Sequence, residues 1–538
     1  MNMVVDKARK APAWQTHWPL WAAGALFLVL LGLTLAAQLS FGRILLPEED
    51  AYQRLAVAKN LAERFAWEII PGQFTSAFGT VLWPVLIAPV FLLLGANAIW
   101  PWIINAVLAL ALVALAYRAV RGTVSNRAAQ ALLLVVLVIG LPLVPLAAGG
   151  MEQVLYLVFM ILFLERWARR MEDPAKSGLL PLALVSFLLA STRYEGLLLV
   201  AMAALFLLLK RDFTAGFLMP VVAALPLAVF GYFSWRAGWL PVPASVYLRR
   251  AELIPSDPSQ IPSVVFRSLD VLGANPELRS VVLLLTLLPA WAGFAGRIHS
   301  VRERDFFAPA LALAAVLVDL TLIGDRGYRY DAWLVLLGGW AFLPALGKIL
   351  PTDFRDLRRQ AVTLFAGGAL TLLLGFPLVN RGVQAAVAFG GSVENARRLA
   401  QSAAQWTSDC AAGPVATDAP GTIVFLTGRE DVVDLSGFVN LEAFRVRRGG
   451  AVSAEWMRAE AERTGASTAV LFQPLLQAQA GAVWARIGGW SRADCTGCGG
   501  VEIFLIAADA STARCTDDFL SRLPPMDVVR EGDRGGAQ

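Results

Sequence analysis

Residues 78–94 read FGTVLWPVLIAPVFLLL. The block is about long enough to cross a bilayer, but Pro84 and Pro89 would remove backbone donors that lipid cannot replace. Whether it counts as a crossing sets the side of every later segment. With the block left out and the N-terminus inside, the short inward connections become basic one after another. They carry Lys7, Arg9 and Lys10, then Arg118, Arg121 and Arg127, then Arg166, Arg169, Arg170 and Lys176. Lys210 and Arg211 follow, then Arg297, Arg302 and Arg304, and finally Lys348, Arg355, Arg358 and Arg359. Nineteen basic residues then share one side, as the positive-inside rule requires. Counting the block moves the Arg118–Arg127 connection outside and inverts everything after it. Residues 78–94 are therefore read as a re-entrant or interfacial hairpin on the outer side.

The crossings themselves are read at 19–40, 98–117, 129–147, 153–167, 179–192, 195–209, 216–235, 280–297, 306–324, 332–347 and 361–380. Composition agrees: of 538 residues 57% are hydrophobic and 16% charged, with mean hydropathy +0.60, against ~25% charged in soluble chains. A soluble enzyme, a disulfide mini-protein and a disordered chain are excluded. The first span is longer than a ~7–15-residue signal core, without a convincing cleavage site, and reads as an uncleaved anchor. Residues 1–380 hold 31 Lys+Arg against 23 Asp+Glu, and residues 381–538 hold 15 against 18. The positive excess belongs to the membrane part and reports orientation, with no sign of nucleic acid. The expected fold is a polytopic α-helical membrane protein with about 11 transmembrane helices and the outer hairpin over 1–380. A small C-terminal α/β extracytoplasmic domain occupies 381–538. The expected location is the plasma (inner) membrane, multi-pass, with the N-terminus cytoplasmic and the tail periplasmic or extracellular.

All four cysteines, Cys410, Cys495, Cys498 and Cys515, lie in the tail. An oxidising compartment allows two disulfides, in any of three pairings. The Cys495–Cys498 spacing also suits a redox or half-zinc motif, but the tail has no second such pair and no His, which favours structural disulfides. TIVFL (422–426), TAVLF (468–472) and VEIFLI (501–506) read as strands, and AEWMRAEAERTG (454–465) as a helix closed by Gly465. Residues 521–538 are expected to fray.

With the inner loops short and basic, chemistry is sought in the outer loops 41–97 and 236–279 and the tight turns 148–152, 192–194 and 325–331. In LPEEDAYQRLAVAKNLAERF, Ala51, Leu55, Ala58, Ala62 and Phe65 recur at 4-3-4-3 spacing, an amphipathic helix expected to lie along the membrane surface. Glu48, Glu49 and Asp50 fall at its start. Acids there complement the helix dipole, worth ~0.3–1 kcal/mol each. The functional alternative is a carboxylate that deprotonates a hydroxyl or holds a divalent metal beside a phosphate. Glu152 opens a span, as a cap or a ligand. Arg193 and Glu195 lie between two short spans, where the guanidinium either anchors at the interface or forks onto phosphate oxygens. Tyr247, Arg249 and Arg250 follow the prolines of LPVPAS, and DRGYRYD packs Asp325, Arg326, Tyr328, Arg329, Tyr330 and Asp331 together. Asp319, inside a span, is a weaker candidate.

Four stretches in this order resemble GT-C-fold glycosyltransferases that use polyprenyl-phosphate sugars, of the mannosyl-, aminoarabinose- and arabinofuranosyltransferase groups. Glu49-Asp50-Ala51-Tyr52, with Ala58-Lys59-Asn60-Leu61 and Pro71-Gly72, is similar to the acidic first-loop motif. Gly149-Gly150-Met151-Glu152-Gln153 resembles Ser-Gly-Leu-Glu-Thr, and Thr192-Arg193-Tyr194-Glu195-Gly196 resembles Thr-Arg-Pro-Glu-Gly. Thr417-Asp418 through Gly428-Arg429 to Val433-Asp434-Leu435-Ser436-Gly437 resembles the tail motif. Pro243-Ala244-Ser245-Val246-Tyr247 is similar to Pro-Asn-Thr-x-Tyr, with Arg249 near its Lys. Glu49, Tyr194 and Ala244 depart from the pattern's Asp, Pro and Asn.

The resemblance implies a transferase that moves a sugar from a polyprenyl-phosphate donor to a hydroxyl of a cell-envelope glycan, lipid or protein. Asp50 would be the general base with Glu49 beside it. Glu152, Arg193, Glu195, Tyr247 and Arg249 would face the substrates; the charged turn 325–331 adds Arg329 and Tyr330 to them on its own chemistry, with Arg193 and Arg329 expected to hold the leaving phosphate. A divalent cation, Mg or Ca, would sit on Asp50 or Glu152 if one is used, because only His17 and His299 offer imidazole. The rival classes are a lipid or polysaccharide flippase or transporter, which predicts internal repeats and broken midplane helices, and a non-catalytic scaffold subunit.

Overall fold

The computed structural model describes residues 13–250, 303–319, 327–349, 361–450, 452–492, 499–507, 509–523 and 528–529, with single positions between 270 and 282. The chain opens with α1 (Ala13–Leu39), α2 (Glu49–Arg64) and α3 (Leu82–Leu94). Next come α4 (Ile99–Thr123), α5 (Arg127–Gly140), α6 (Leu143–Ala148), α7 (Gln153–Glu172), α8 (Leu179–Thr192), α9 (Glu195–Leu209), α10 (Phe213–Arg236) and α11 (Ala244–Arg250). α12 (Glu303–Val318), α13 (Ala332–Ile349) and α14 (Ala361–Asn395) complete the helical part. Thr16–Leu39, Ile99–Thr123 and Phe213–Arg236 are long and apolar enough to cross a membrane, and α3, α5, α8 and α9 are shorter apolar helices. The expected span 280–297 lies outside the described residues.

The opening block is a single helix, not a hairpin. Pro84 falls in the first turn of α3, where its missing N–H would have no helical partner anyway. Only Pro89 costs a ladder bond, and Gly95, at φ 82° and ψ 154°, ends the helix. Thirteen residues rise only about 20 Å, against a hydrocarbon core of about 30 Å. Trp83, Ile87 and Phe91 are buried and Leu92, Leu93 and Leu94 exposed. The Trp83 indole donates to the Gly150 carbonyl at 3.2 Å, tying α3 to the turn before α7.

The span expected at 129–147 is likewise two helices, broken at Leu141–Pro142 between α5 and α6. Arg381, buried on α14, donates to the Gly140 carbonyl at that break (2.7 Å) and to the Tyr328 carbonyl (2.6 Å). At Gly382 any Cβ would come within 2.2 Å of the Ile139 carbonyl oxygen, so glycine permits this close approach. α14 runs fifteen residues beyond the expected end at 380. A π-turn (Ala396–Gln401) and α15 (Ser402–Cys410) continue it into the tail.

The tail is built from β1 (Val415–Thr417), α16 (Pro420–Thr427), β2 (Val432–Asp434), α17 (Leu441–Gly449), α18 (Ala454–Thr464), β3 (Thr468–Leu471), α19 (Pro474–Gly481), β4 (Ala485–Ser491), β5 (Gly500–Leu505), α20 (Ala510–Arg522) and β6 (Val528–Val529). The sheet order is β2-β1-β3-β5-β4-β6, parallel where β1 meets β2 and β3 and antiparallel elsewhere. Two expected strands and the Gly465-capped helix are present. TIVFL is not a strand but the body of α16, framed by Pro420 in its first turn and Gly428 in the left-handed cap. In the segment expected to fray, Val528 and Val529 pair with β4. Cys410 and Cys515 form a disulfide between α15 and α20; Cys495 and Cys498 lie outside the described residues.

Candidate active site

α2 organises the site. Ala51, Leu55, Ala58 and Ala62 are buried as their spacing demands, but Phe65 caps the helix at φ 56° and is 89% exposed. Burial extends to Gln53, Arg54, Ala56, Val57 and Asn60, so α2 does not lie on a surface with one wet face. α16 covers it from the tail side. Phe425 meets Tyr52 at 5.9 Å and Phe91 at 6.3 Å between ring centroids, and a Cβ on Gly421 would lie 2.6 Å from the Gln53 backbone nitrogen.

The three acids before and within the first turn of α2 part ways. Glu48 pairs with Arg329 at 3.4 Å. Glu49 turns to the tail, where its carboxylate accepts from the backbone of Gly421 (2.6 Å) and Thr422 (2.9 Å) and from the Thr422 hydroxyl. These donors form the N-terminus of α16, whose first amides have no partner within their own helix. Sequence reasoning placed Glu49 beside the reacting groups. Its carboxylate instead joins membrane part to tail and does not line the pocket.

Asp50 does line it, with Gln53, Arg54, Thr80, Glu152, Arg193, Tyr194, Glu195, Ser245, Tyr330 and Phe438. Charges alternate along its wall. Glu152, fully buried at the start of α7, lies 2.8 Å from Arg54 Nε and 3.5 Å from Arg193 Nη1. Arg193 also holds Glu195 through Nη2 at 2.8 Å and Nε at 3.3 Å. Arg54 Nη1 donates to the Asp50 carbonyl at 2.7 Å. Asn105 donates to the carbonyls of Ala147 and Met151 and so steadies the turn that presents Glu152. The Tyr330 ring is flanked by Arg193 at 5.8 Å and Arg329 at 4.7 Å, and its hydroxyl accepts from Arg329 at 2.8 Å.

The remaining expected residues sit elsewhere. Tyr247 packs against Phe444 and Arg448 of the tail, and Ser245 of the same helix reaches the pocket instead. The Arg249 side chain, Asp325 and Arg326 lie outside the described residues. Arg329 stands one step back, and Asp319 is buried near the end of α12. Arg54 and Arg381 were missed. Arg54 is four residues after Asp50 on α2, one helical turn away, which was the available signal. Among the described residues no three His, Cys, Asp or Glu side chains gather as a metal set. Two guanidinium groups face Glu152, a donor set that repels a divalent cation.

No family model matches the chain and no curated protein matches it. Solved structures do. ArnT from Cupriavidus metallidurans bound to undecaprenyl phosphate matches with TM-score 0.52 at 13% identity, over 90% of this chain and 98% of ArnT. The fold resembles that of ArnT. The apo structure of the same ArnT gives 0.48 at 13% identity, over 90% and 99%. The likeness to ArnT is one of fold, of the GT-C type expected from the sequence, and it extends from the helical bundle into the tail.

Glu49 carries a pH prediction. Burial pushes its carboxyl from 4.5 up to about 8, against the hydrogen bonds of Thr422, Gly421 and Gln53 that pull it down. An acid with a raised folded-state pKa binds its proton more tightly when folded. The stability it contributes is full below the unfolded value and is lost as pH rises through the folded one. The thermal midpoint should therefore fall between pH 4.5 and about 8, and Glu49→Gln should flatten that fall. An equally steep fall in the variant would assign the dependence to other groups.

Proposed function

We propose that the chain is a membrane glycosyltransferase. It moves a sugar from a polyprenyl-phosphate donor to a hydroxyl of a cell-envelope acceptor at the outer face of the plasma membrane. The observation that carries this reading is the meeting of Asp50 with Arg54 and Arg193 in one pocket, within a fold similar to that of ArnT, which holds undecaprenyl phosphate. Asp50 takes the proton of the acceptor hydroxyl, whose oxygen attacks the anomeric carbon. The bond from that carbon to the phosphate oxygen breaks, and polyprenyl phosphate leaves with inversion. Arg54, Arg193 and Arg329 stabilise the charge that develops on it. Glu152 and Glu195 hold the first two guanidinium groups in place, so little reorganisation is needed as the charge appears. The reading takes the topology with the N-terminus inside, about 11 crossings and residues 381–538 outside.

The test is donor consumption. Purified chain is incubated with the host's polyprenyl lipids and host membranes as acceptor, and lipid-phosphate sugars are followed by mass spectrometry. The expected result is time-dependent depletion of one lipid-phosphate sugar with release of polyprenyl phosphate. No depletion of any such lipid would remove the transferase reading.

A further inference from the structure

A second and larger opening, about 420 Å³, lies where the helical part meets the tail. Gln73 and Phe74 line it from the loop after α2, Trp239 from the end of α10, and Asn440, Glu442 and Arg463 from the tail. The same two segments divide it from the candidate active site. Residues 77–80 and Phe438 line the catalytic pocket, while Gln73, Phe74 and residues 439–442 line the cleft. Their wall is closed by a hydrogen bond from the Thr75 hydroxyl to the Phe438 carbonyl at 3.1 Å.

The tail motif Val433-Asp434-Leu435-Ser436-Gly437 builds that wall. One Asp434 oxygen accepts from the Ser436 backbone (2.7 Å) and hydroxyl (2.5 Å), and the other accepts from Val439 (2.7 Å) and Asn440 (3.0 Å). The resulting turn puts Phe438 on the catalytic side and Asn440 on the cleft side. Gly437, at φ +79°, lies where a Cβ would come within 3.0 Å of the Phe444 backbone, so the turn packs tightly on α17. Behind the cleft, buried Glu460 accepts from Asn440 Nδ2 at 2.6 Å and from Arg463 Nε at 2.8 Å and Nη2 at 2.6 Å. The Arg463 side chain nevertheless keeps 61% of its surface exposed.

We infer that this cleft is a saccharide-binding subsite, which holds the acceptor glycan one or more sugar units away from its reacting hydroxyl. The inference rests on the transferase reading for the word acceptor, and on the cleft alone for the word saccharide. The Gln73 amide, the Glu442 carboxylate and the Arg463 guanidinium pair with vicinal hydroxyls, and the half-buried Phe74 ring offers apolar surface to the C–H face of a pyranose. Glu460 already meets the Arg463 guanidinium and Glu442 stands exposed beside it, so the cleft favours neutral or amino sugars over uronates and phosphorylated ones. A chain seated there runs along the Phe438 wall towards Asp50.

The test reads binding directly. Full-length chain in nanodiscs is titrated with oligosaccharides released from the host envelope, split by anion exchange into neutral and uronate-bearing pools. Saturation-transfer NMR reports contact. Two variants sit at exposed positions on opposite sides: Gln73→Trp fills the cleft and Glu442→Lys reverses its charge. The expected result is contact with the neutral pool, weakened about tenfold or more by each variant, as for loss of one good hydrogen-bonding group, with unfolding midpoints unchanged. Glu442→Lys should also strengthen contact with the uronate pool. Contact that both folded variants retain, or no contact by wild type, overturns the subsite. If wild type binds the neutral pool and the variants do not, the saccharide site stands even where no donor is consumed. In that case only the transferase reading falls.

Discussion

Asp50→Asn should lower donor consumption by about 10²–10⁴-fold, the usual contribution of a positioned general base, with the unfolding midpoint nearly unchanged. The carboxamide keeps the size of the carboxylate and can still accept hydrogen bonds, but it cannot take a proton at neutral pH. Asp50 is the one of the three neighbouring acids that lines the pocket. Glu48 is paired with Arg329, and Glu49 is held by α16. Glu49→Gln is the matched control. Its amide can accept from only one oxygen where the carboxylate accepts through both, so its cost should appear in the thermal midpoint and in the pH dependence of stability. The experiment measures initial rates of lipid-phosphate-sugar depletion beside thermal unfolding for the three chains. If Asp50→Asn keeps more than about a tenth of the rate, the proton goes elsewhere and Asp50 is not the base.

The separation of Glu49 from Asp50 shows where sequence reading ends. On one helix turn the two carboxylates are equivalent by spacing, charge and neighbours. They are told apart by α16, more than 370 residues later, whose N-terminal amides point at one of them. The same helix hid itself, because TIVFL carries the β-branched residues of a strand and only Pro420 and Gly428 mark its ends. It also hid the burial of Gln53, Ala56 and Val57, which look polar-facing or neutral until the tail covers them. By contrast, features set by local chemistry were legible. Apolar length located most of the helices, Glu152, Arg193 and Glu195 of two tight turns meet in one pocket, and Gly465 closes α18. Failures within the bundle came from proline. Pro84 reads as an interruption of 78–94, whereas it sits in the first turn of α3, and Pro142, inside the expected span 129–147, lies at a break that Arg381 bridges. Arg381 itself is invisible in sequence because its partners are backbone carbonyls of Gly140 and Tyr328.

Glu152→Gln should destabilise the chain by about 3–5 kcal/mol, the usual cost of removing one partner from a buried ion pair. Glu152 has no exposed surface, and Arg54 and Arg193 retain only 7% and 9%. After the substitution Arg193 still has Glu195 at 2.8 Å. Arg54 loses its one carboxylate partner among the described residues and keeps the Asp50 carbonyl, with its remaining charge facing the Phe78 ring at 4.8 Å. The loss should therefore reside mainly in Arg54. A second substitution tests this: Arg54→Met in the Glu152→Gln background removes the stranded charge and should recover more than half of the lost stability, since buried pairs are often replaceable by apolar groups of similar volume. Unfolding of the four chains, followed by tryptophan fluorescence in one detergent, closes the cycle. The two single substitutions should each be worse than the double. Simple additivity would mean that Arg54 and Glu152 do not depend on one another. Transfer activity should separate from stability here. The double variant, although refolded, lacks one of the guanidinium groups assigned to the leaving phosphate, and its rate should stay low. A stable double variant at full rate would leave phosphate stabilisation to Arg193 and Arg329 alone.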